Sequence, residues 1–310
     1  MDNRRLAAGL DDMVVFAAVA DSLGFSAAAR RLGVSKTMVS AAVARLERRL
    51  GVKLFHRTTR RLSLTESGSA ALPHAMAAWS ALQEAEDAAT SLRAAPRGTL
   101  RINAPMSFGI VHLAPKIHAF CEAFPEVQVD LVLDDRVVDL IGGAFDVAIR
   151  IGQLQDSSLS ASLIGRNRNV VVASPAYLAT AAPIRRPADL SEHPCVLYSL
   201  SSTGDQWDFT KGDTVERVPV AGRVRVNSSL AMLNMVRCGA GVARMPLFAA
   251  AEALRQREVV ALLPEWEIPS HGIYAMTTAR VHQPRKTGAF IDFLRAQFGD
   301  TPYWEHVLRD

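Results

Sequence analysis

Within the run SKTMVS, residues 35–40, three hydroxyls (Ser35, Thr37, Ser40) and the ammonium of Lys36 fall in six positions. Such groups donate to and accept from the edges of nucleic-acid bases. Ala41 and Ala44, which follow, are small enough to let a helix enter a major groove of about 12 Å, where alanine and the threonine methyl can touch thymine methyls. Arg45 flanks this face. Further on, HRTTRR concentrates Arg57, Arg60 and Arg61 in one cationic tip suited to phosphates or a minor groove. Two plainer readings compete: alanine for helix propensity alone, and a charge run as a solvated face.

Catalytic constellations are missing. Lys286, Thr287 and Gly288 spell KTG, but the chain has no SxxK, and it lacks GxSxG, GxxxxGK[ST] and HExxH. Gly239 and Gly241 open a GxG that runs to Arg244 rather than to a third glycine. His112 and His118, six apart on one predicted helix, miss the three-or-four spacing that shares a face. The three cysteines, Cys121, Cys195 and Cys238, form no CxxC pair, and Cys195 and Cys238, 43 residues apart, share no pattern of basic residues that would lower a thiol pKa, so they read as small buried hydrophobes. The expectation is no enzyme, no metal and no cofactor.

The elements that must position the polar run are legible around it. In DDMVVFAAVADSL, residues 11–23, acids open a helix whose apolar groups recur at Val15, Phe16, Val19 and Leu23. In FSAAARRLG, Ser26 is the expected cap and Gly33 the stop. Ser35 caps a third helix whose inward stripe is Val39, Val43, Leu46 and Leu50. Two helices joined by so short a glycine turn must cross steeply, as in a helix-turn-helix. Lys53, Leu54 and Phe55 then begin a strand, and RLSLT returns with Leu62 and Leu64 inward, a two-stranded wing. Thr65 caps a longer helix through about Arg93, with Leu72, Ala75, Trp79, Leu82 and Ala89 at near-heptad spacing and Pro73 as a bend. Its 28 or so residues make a rod of about 42 Å, suited to pairing with a twin.

Charge is distributed to match. Residues 1–65 hold twelve lysines and arginines against five acids, a net of +7, which leaves −3 for the rest of a chain whose formal charge is +4. A basic head on a slightly acidic body is the layout of a polyanion-binding module attached to something else. At 310 residues and 49% hydrophobic the chain can bury more than one core. No window approaches the ~18 apolar residues of a membrane span, and MDNRRLAAGLDD puts acids where a signal peptide would be apolar, so the cytoplasm is expected. From residue 99, TLRINAP, VQVDLVLDD, DVAIRIG, VVVASPAYL, HPCVLYSL and GVARMP alternate with helical stretches, among them VDLIGGAF. That is the signature of parallel α/β sheets, which bind ligands beyond the carboxyl ends of their strands.

The block FSAAARRLGVSKTMVSAAVARLERRLGVKLFHRTTRRLSLTESG resembles the N-terminal domain of the LysR-type transcriptional regulators, and the resemblance extends from about residue 8 to 300. It implies an α/β protein: a winged helix-turn-helix (1–65), a linker or dimerisation helix (66–95), and an effector-binding domain (96–300) of two Rossmann-like lobes similar to periplasmic binding proteins. Lobe I comprises 96–167 and 270–300, lobe II 168–269, and 301–310 is a C-terminal tail. The implied partners are dyad-symmetric double-stranded promoter DNA, a small-molecule effector, RNA polymerase, and further copies of the chain in a homodimer or homotetramer.

Residue by residue, Ser35 and Ser40 match the family, Lys36 stands where glutamine is usual, and Thr37 where serine or proline is frequent. Ala41 departs from the common arginine or lysine, which shifts specificity toward Lys36 and apolar contacts. Ser26 and Arg45 complete the DNA-binding set, and Arg57, Thr58 and Arg60 match the wing. The implied cleft is lined by Pro105, Met106, Ser107 and Phe108, by Arg150, Ile151 and Gly152, and by Ser199, Leu200, Asn227, Ser228, Met245 and Pro246. Ser107 and Ser228 near helix starts can donate to an anion, and Arg150 can pair with a carboxylate or serve as a structural ion-pair partner. The alternatives are a cysteine-based redox-sensing regulator, or a small-molecule-binding protein or enzyme with no DNA role.

Overall fold

The computed structural model describes residues 3–22, 24–57, 62–90, 95–136, 140, 145–153, 159–201, 203–278 and 283–308. The chain forms two compact units, the first built mainly on Met1–Ala95 and the second mainly on residues from Pro96 onward. In the first, helix α1 spans Asn3–Asp21, α2 Phe25–Leu32 and α3 Lys36–Leu50. Helix α1 starts well ahead of Asp11 and Asp12, the acids expected to open it, because Arg4, Arg5, Leu6, Ala7 and Ala8 are good helix formers and no proline interrupts them. Asp12 is instead an interior residue, 4% exposed. Helix α2 opens at Phe25 behind an extended Gly24, and no side chain caps it. The expected cap, Ser26, stands exposed inside its first turn. Gly33 closes α2 at φ 66°, a left-handed conformation that a side chain would strain.

Ser35 caps α3 as expected, its hydroxyl accepting from the Met38 N–H at 3.2 Å. Val39, Val43 and Leu46 point inward, but Leu50 is 41% exposed and Glu47 takes the last inward place. The reason lies in the following turn: the chain reverses at Gly51 (φ 72°), and the Glu47 carboxylate receives the backbone that comes back. Strands β1 (Phe55–Arg57) and β2 (Leu62–Leu64) pair antiparallel with Phe55 opposite Leu64, so the first strand starts two residues later than the sequence suggests. Helix α4 spans Glu66–Thr90; Thr65 accepts from the Gly68 N–H at 2.9 Å and donates to the Lys53 carbonyl at 2.6 Å. Its first half, through Ala75 and Trp79, joins the head's core of Phe16, Val19, Val39, Val43, Leu46 and Phe55. Residues 137–139 and 141–144, where a short helix is expected, lie outside the described residues.

The second unit contains β3 (Gly98–Ala104), then a continuous helical stretch of α5 (Met106–Phe108), a π turn (Gly109–Leu113) and α6 (Ala114–Ala123), followed by β4 (Val127–Leu133), β5 (Val147–Gly152) and β6 (Ser160–Asn167). With β14 (His271–Thr277) these build the lobe I sheet in the order β4-β3-β5-β14-β6. Strand β3 is parallel to β4 and β5, whereas β14 is antiparallel to β5 and β6. The purely parallel expectation is therefore corrected: β14 is the chain returning from lobe II, so it must run against its neighbours.

Beyond β6 the chain enters the second lobe. It contains β7 (Asn169–Ala173), α7 (Pro175–Leu178), β8 (Pro194–Tyr198), β9 (Gln206–Lys211), β10 (Thr214–Pro219), β11 (Ala221–Val226), α8 (Ser229–Arg237), β12 (Ala243–Pro246), α9 (Leu247–Arg255) and β13 (Val260–Leu262). Strands β12 and β13 flank β7 antiparallel, and β11 lies parallel to β8. Asn169, the first residue of β7, donates its side-chain amide to the Pro269 carbonyl at 2.8 Å, two residues ahead of β14.

Helix α10 (Arg285–Phe298) carries the KTG triplet in its first turn. Lys286 there is structural, paired with Asp146 at 2.9 Å. Residues 301–310, read from the sequence as a tail, contain a 3-10 turn at Tyr303–Leu308 whose Trp304 is fully buried against Phe108, Phe248 and Phe298. No single helix among the described residues is long and apolar enough to cross a membrane.

Candidate functional site

Two separate sites emerge, one in each unit. In the head, Lys36, Thr37, Met38 and Ala41 are exposed on α3, with Ser40 and Ala44 half-buried beside them. Beyond Lys36 and Met38, the outer face of the helix's first half carries only the small side chains of Thr37, Ser40, Ala41 and Ala44. Arg45 departs from expectation: its guanidinium grips the buried Asp12 carboxylate of α1, Nη2 to Oδ1 at 2.7 Å and Nε to Oδ2 at 3.3 Å. That bidentate geometry fixes α3 to α1 and takes Arg45 out of the set of free base-contacting residues. Arg57 ends β1, while its side chain, Thr58 and Arg60 lie outside the described residues.

Glu47, which sequence reasoning placed nowhere, organises the wing. Its Oε1 accepts from the N–H groups of Leu54 at 3.0 Å and Phe55 at 3.5 Å, and its Oε2 from Lys53 Nζ at 2.8 Å. Burial works to raise its pKa, but the hydrogen bonds from Lys53, Leu54 and Phe55 outweigh it and hold the carboxyl below the ordinary glutamate range.

In the second unit the lobes meet through side chains at the strand ends. Ser107 Oγ lies 3.4 Å from Ser228 Oγ of the opposite lobe and accepts from the Leu230 N–H at 3.3 Å. Ser228 caps α8 by accepting from the Ala231 N–H. One serine from each lobe thus satisfies the first turn of the same helix. Beside them, Asp135 bridges the cleft: it accepts from the Met106 N–H of lobe I and from the Tyr198 hydroxyl of lobe II, both at 3.3 Å. Burial and neighbouring Asp134 push the Asp135 carboxyl up, against the pull of those hydrogen bonds and of Arg150.

Arg150 donates through Nη1 to Asn103 Oδ1 at 2.7 Å and to the Ile149 carbonyl at 2.9 Å. Its Nη2 is buried with no partner among the described residues. Burial lowers its pKa, and Asp134 and Asp135 oppose that shift. The orphaned donor supports a ligand-facing role over a closed structural ion pair.

The other cleft residues divide by strand and helix periodicity. Pro105, Met106, Gly152, Ser199, Leu200, Asn227 and Pro246 have exposed or half-buried surface. Three turn their side chains wholly or partly into a core. The Phe108 ring is fully buried among His112, Phe248, Phe298 and Trp304, Ile151 packs against the lobe I core, and Met245 is buried in the lobe II core. Side chains alternate along a strand, so the neighbours of Arg150 and Arg244 necessarily face the other way. Asp135 and Tyr198 were legible in one respect only: both sit at the carboxyl ends of strands, where α/β sheets bind ligands.

Two further groups bear on the alternatives. The Cys195 thiol donates to the His193 carbonyl at 3.5 Å, and burial pushes its pKa up to about 12, opposite to what a reactive thiolate needs. His112 is buried between Tyr303 and the Phe248 carbonyl, and burial first, then Lys116, drive its pKa down to about 4 against the Phe248 hydrogen bond.

Comparison with known proteins agrees with this arrangement. Residues 10–69 match the family described as "Bacterial regulatory helix-turn-helix protein, lysR family", and residues 93–299 match "LysR substrate binding domain". The HTH-type transcriptional regulator PtxR of Pseudomonas aeruginosa is 37% identical over 294 residues, covering 95% of this chain and 94% of its own. Among solved structures, CrgA, a LysR-type transcriptional regulator from Neisseria meningitidis, is similar at TM-score 0.61 with 27% identity, over 94% of this chain and 99% of its own. The Vibrio cholerae virulence activator AphB is similar at TM-score 0.60 with 25% identity, over 93% of this chain and 98% of its own.

Proposed function

The chain belongs to the LysR-type family of DNA-binding transcriptional regulators, and from that premise we propose which residues read its promoter and receive its effector. Helix α3 lies in the major groove with Lys36, Thr37 and Ser40 toward base edges and Ser35 fixing its first turn. Ser26, beside the uncapped N–H groups of α2, contacts a phosphate, as do Arg57, Thr58 and Arg60 of the wing. Arg45 acts through Asp12 by holding α3 in place. We divide the chain into a DNA-binding domain to residue 65, a dimerisation helix at 66–95, and an effector domain whose lobes meet at 167/168 and 269/270. Pairing through α4 yields a homodimer, or a tetramer of two, matched to a dyad-symmetric site in the cytoplasm, with RNA polymerase as a further partner.

The observation that carries the DNA reading is the exposed outer face of α3, with Lys36, Thr37 and Ala41, in a head of net charge +7. Gel-shift titrations on operator and random duplex at two salt concentrations test it. Lys36→Ala is expected to weaken discrimination between the duplexes. Arg57→Ala and Arg60→Ala are expected to weaken both alike and to reduce the salt slope by about one each. Unchanged specificity in the Lys36 variant removes that residue from the readout.

In the cleft, a small carboxylated effector engages Arg150, Ser107 and Ser228, with Asp135 accepting a hydrogen bond from the same molecule. The unpartnered Arg150 Nη2 supports an anionic group there. An effector that raises the melting temperature of the wild type should leave Arg150→Ala unshifted; an equal shift refutes the assignment.

A further inference from the structure

In the first half of α3, one large apolar side chain faces outward: Met38 is 60% exposed, while Val39 and Val43 take the inward positions. At about 100° per residue, Met38 shares a flank of the helix with Ala41 and Arg45, three and seven residues further on. Helical side chains lean toward the N-terminus, so the thioether lies over the turn that holds Ser35, Lys36 and Thr37. Nothing longer shields it. Ala41 ends at Cβ, and Arg45, the cation on the same flank, is drawn away to the buried Asp12 carboxylate.

We propose that Met38 is a specificity residue that reads the 5-methyl group of a thymine in the major groove, an inference that rests on the DNA-reading role given to α3 above. The thymine methyl is the apolar group that base pairs present on that edge; cytosine, adenine and guanine present donors and acceptors instead. A thioether cannot satisfy those polar groups, and covering them costs free energy. Against a methyl, its soft, three-bond side chain adapts to form a close contact. The small residues Thr37, Ala41 and Ala44 let the helix approach closely enough for this contact. Neither Lys36 nor Ser40, which exchange hydrogen bonds, can distinguish thymine from uracil, so the methyl isolates the contribution of Met38 from theirs.

The test uses the full chain. An operator is recovered by selection from random oligonucleotides, and each thymine in the protected half-sites is then replaced singly by uracil, which lacks only the methyl. Wild-type protein should lose about three- to fivefold in affinity at one symmetry-related thymine pair, the scale of one buried methyl group. Met38→Ala, which removes the contact in both half-sites, should bind the thymine operator about ten- to twenty-five-fold weaker and show no thymine-over-uracil preference at that pair; Met38→Leu should restore part of it. Exposure makes both substitutions compatible with the fold, and a circular dichroism melt verifies this. Two results overturn the proposal: a wild type indifferent to every uracil replacement, or a Met38→Ala variant that keeps the wild-type preference at every thymine. Recovery of no operator refutes the DNA-reading role of α3 itself, and the methionine assignment with it.

Discussion

Replacing Glu47 with alanine isolates the device that joins the recognition helix to the wing. The substitution takes the acceptor from the buried Leu54 N–H at 3.0 Å, the longer contact from Phe55 at 3.5 Å, and the partner of Lys53. Lys53 is 73% exposed, so water takes over its charge and the ion pair contributes little. The orphaned Leu54 N–H costs about 1–3 kcal/mol. The one lost methylene adds about 0.8 kcal/mol, offset by roughly 0.5 kcal/mol of better helix propensity. The net expectation is a head destabilised by about 1–3 kcal/mol, with Glu47→Gln, which keeps one acceptor and the volume, costing about half as much.

The pH dependence has a definite sign. A carboxyl held below its ordinary pKa in the folded state stabilises the head above the ordinary glutamate range, and that contribution is lost as pH falls through the folded pKa. Hydrogen exchange of the head's amides in the full chain, as a function of urea and pH, measures both effects. A Glu47→Ala head whose opening free energy stays within about 0.5 kcal/mol of wild type would refute the reasoning, because ordinary surface substitutions give that much.

His112 is expected to make the second unit acid-sensitive. Its pKa falls from 6.5 unfolded to about 4 folded, so below pH 6.5 the unfolded chain takes up a proton that the native state refuses. Stability then declines toward pH 4 by up to about 3 kcal/mol, and His112→Gln should flatten that decline in urea titrations. Trp304→Ala should cost the second unit about 3–5 kcal/mol in the same assay, since Trp304 is fully buried; a loss under 1 kcal/mol would return residues 301–310 to the status of a tail.

Much of the head was legible because its signals are local. A cap at Ser35, a left-handed glycine at Gly33 and an apolar stripe at spacings of four and three depend only on neighbours within one or two turns. Ser26 failed because α2 starts one residue earlier, at Phe25 behind Gly24, and Leu50 because the returning strand claims its neighbour. No side chain caps α2, and the inward place next to Leu50 belongs to Glu47, whose partners are seven and eight residues away in the returning strand.

The cleft was legible to about the precision of a strand. Two named segments do meet across the lobes, at Ser107 and Ser228, but Phe108, Ile151 and Met245 were included although their side chains pack against the cores. Asp135 and Tyr198 were left out although they meet across the lobes.

The sequence by itself determined the elements of the head, the strand–helix alternation that begins at residue 99 and the basic charge of the head, because composition and periodicity encode these directly. Only the tertiary structure decided which polar groups are committed. Arg45 and Asp12 are 33 residues apart, Ser107 and Ser228 121, and Tyr198 and Asp135 63. Whether a polar side chain is free to meet a ligand depends on which other group the fold brings within about 3 Å of it, and no local pattern carries that information.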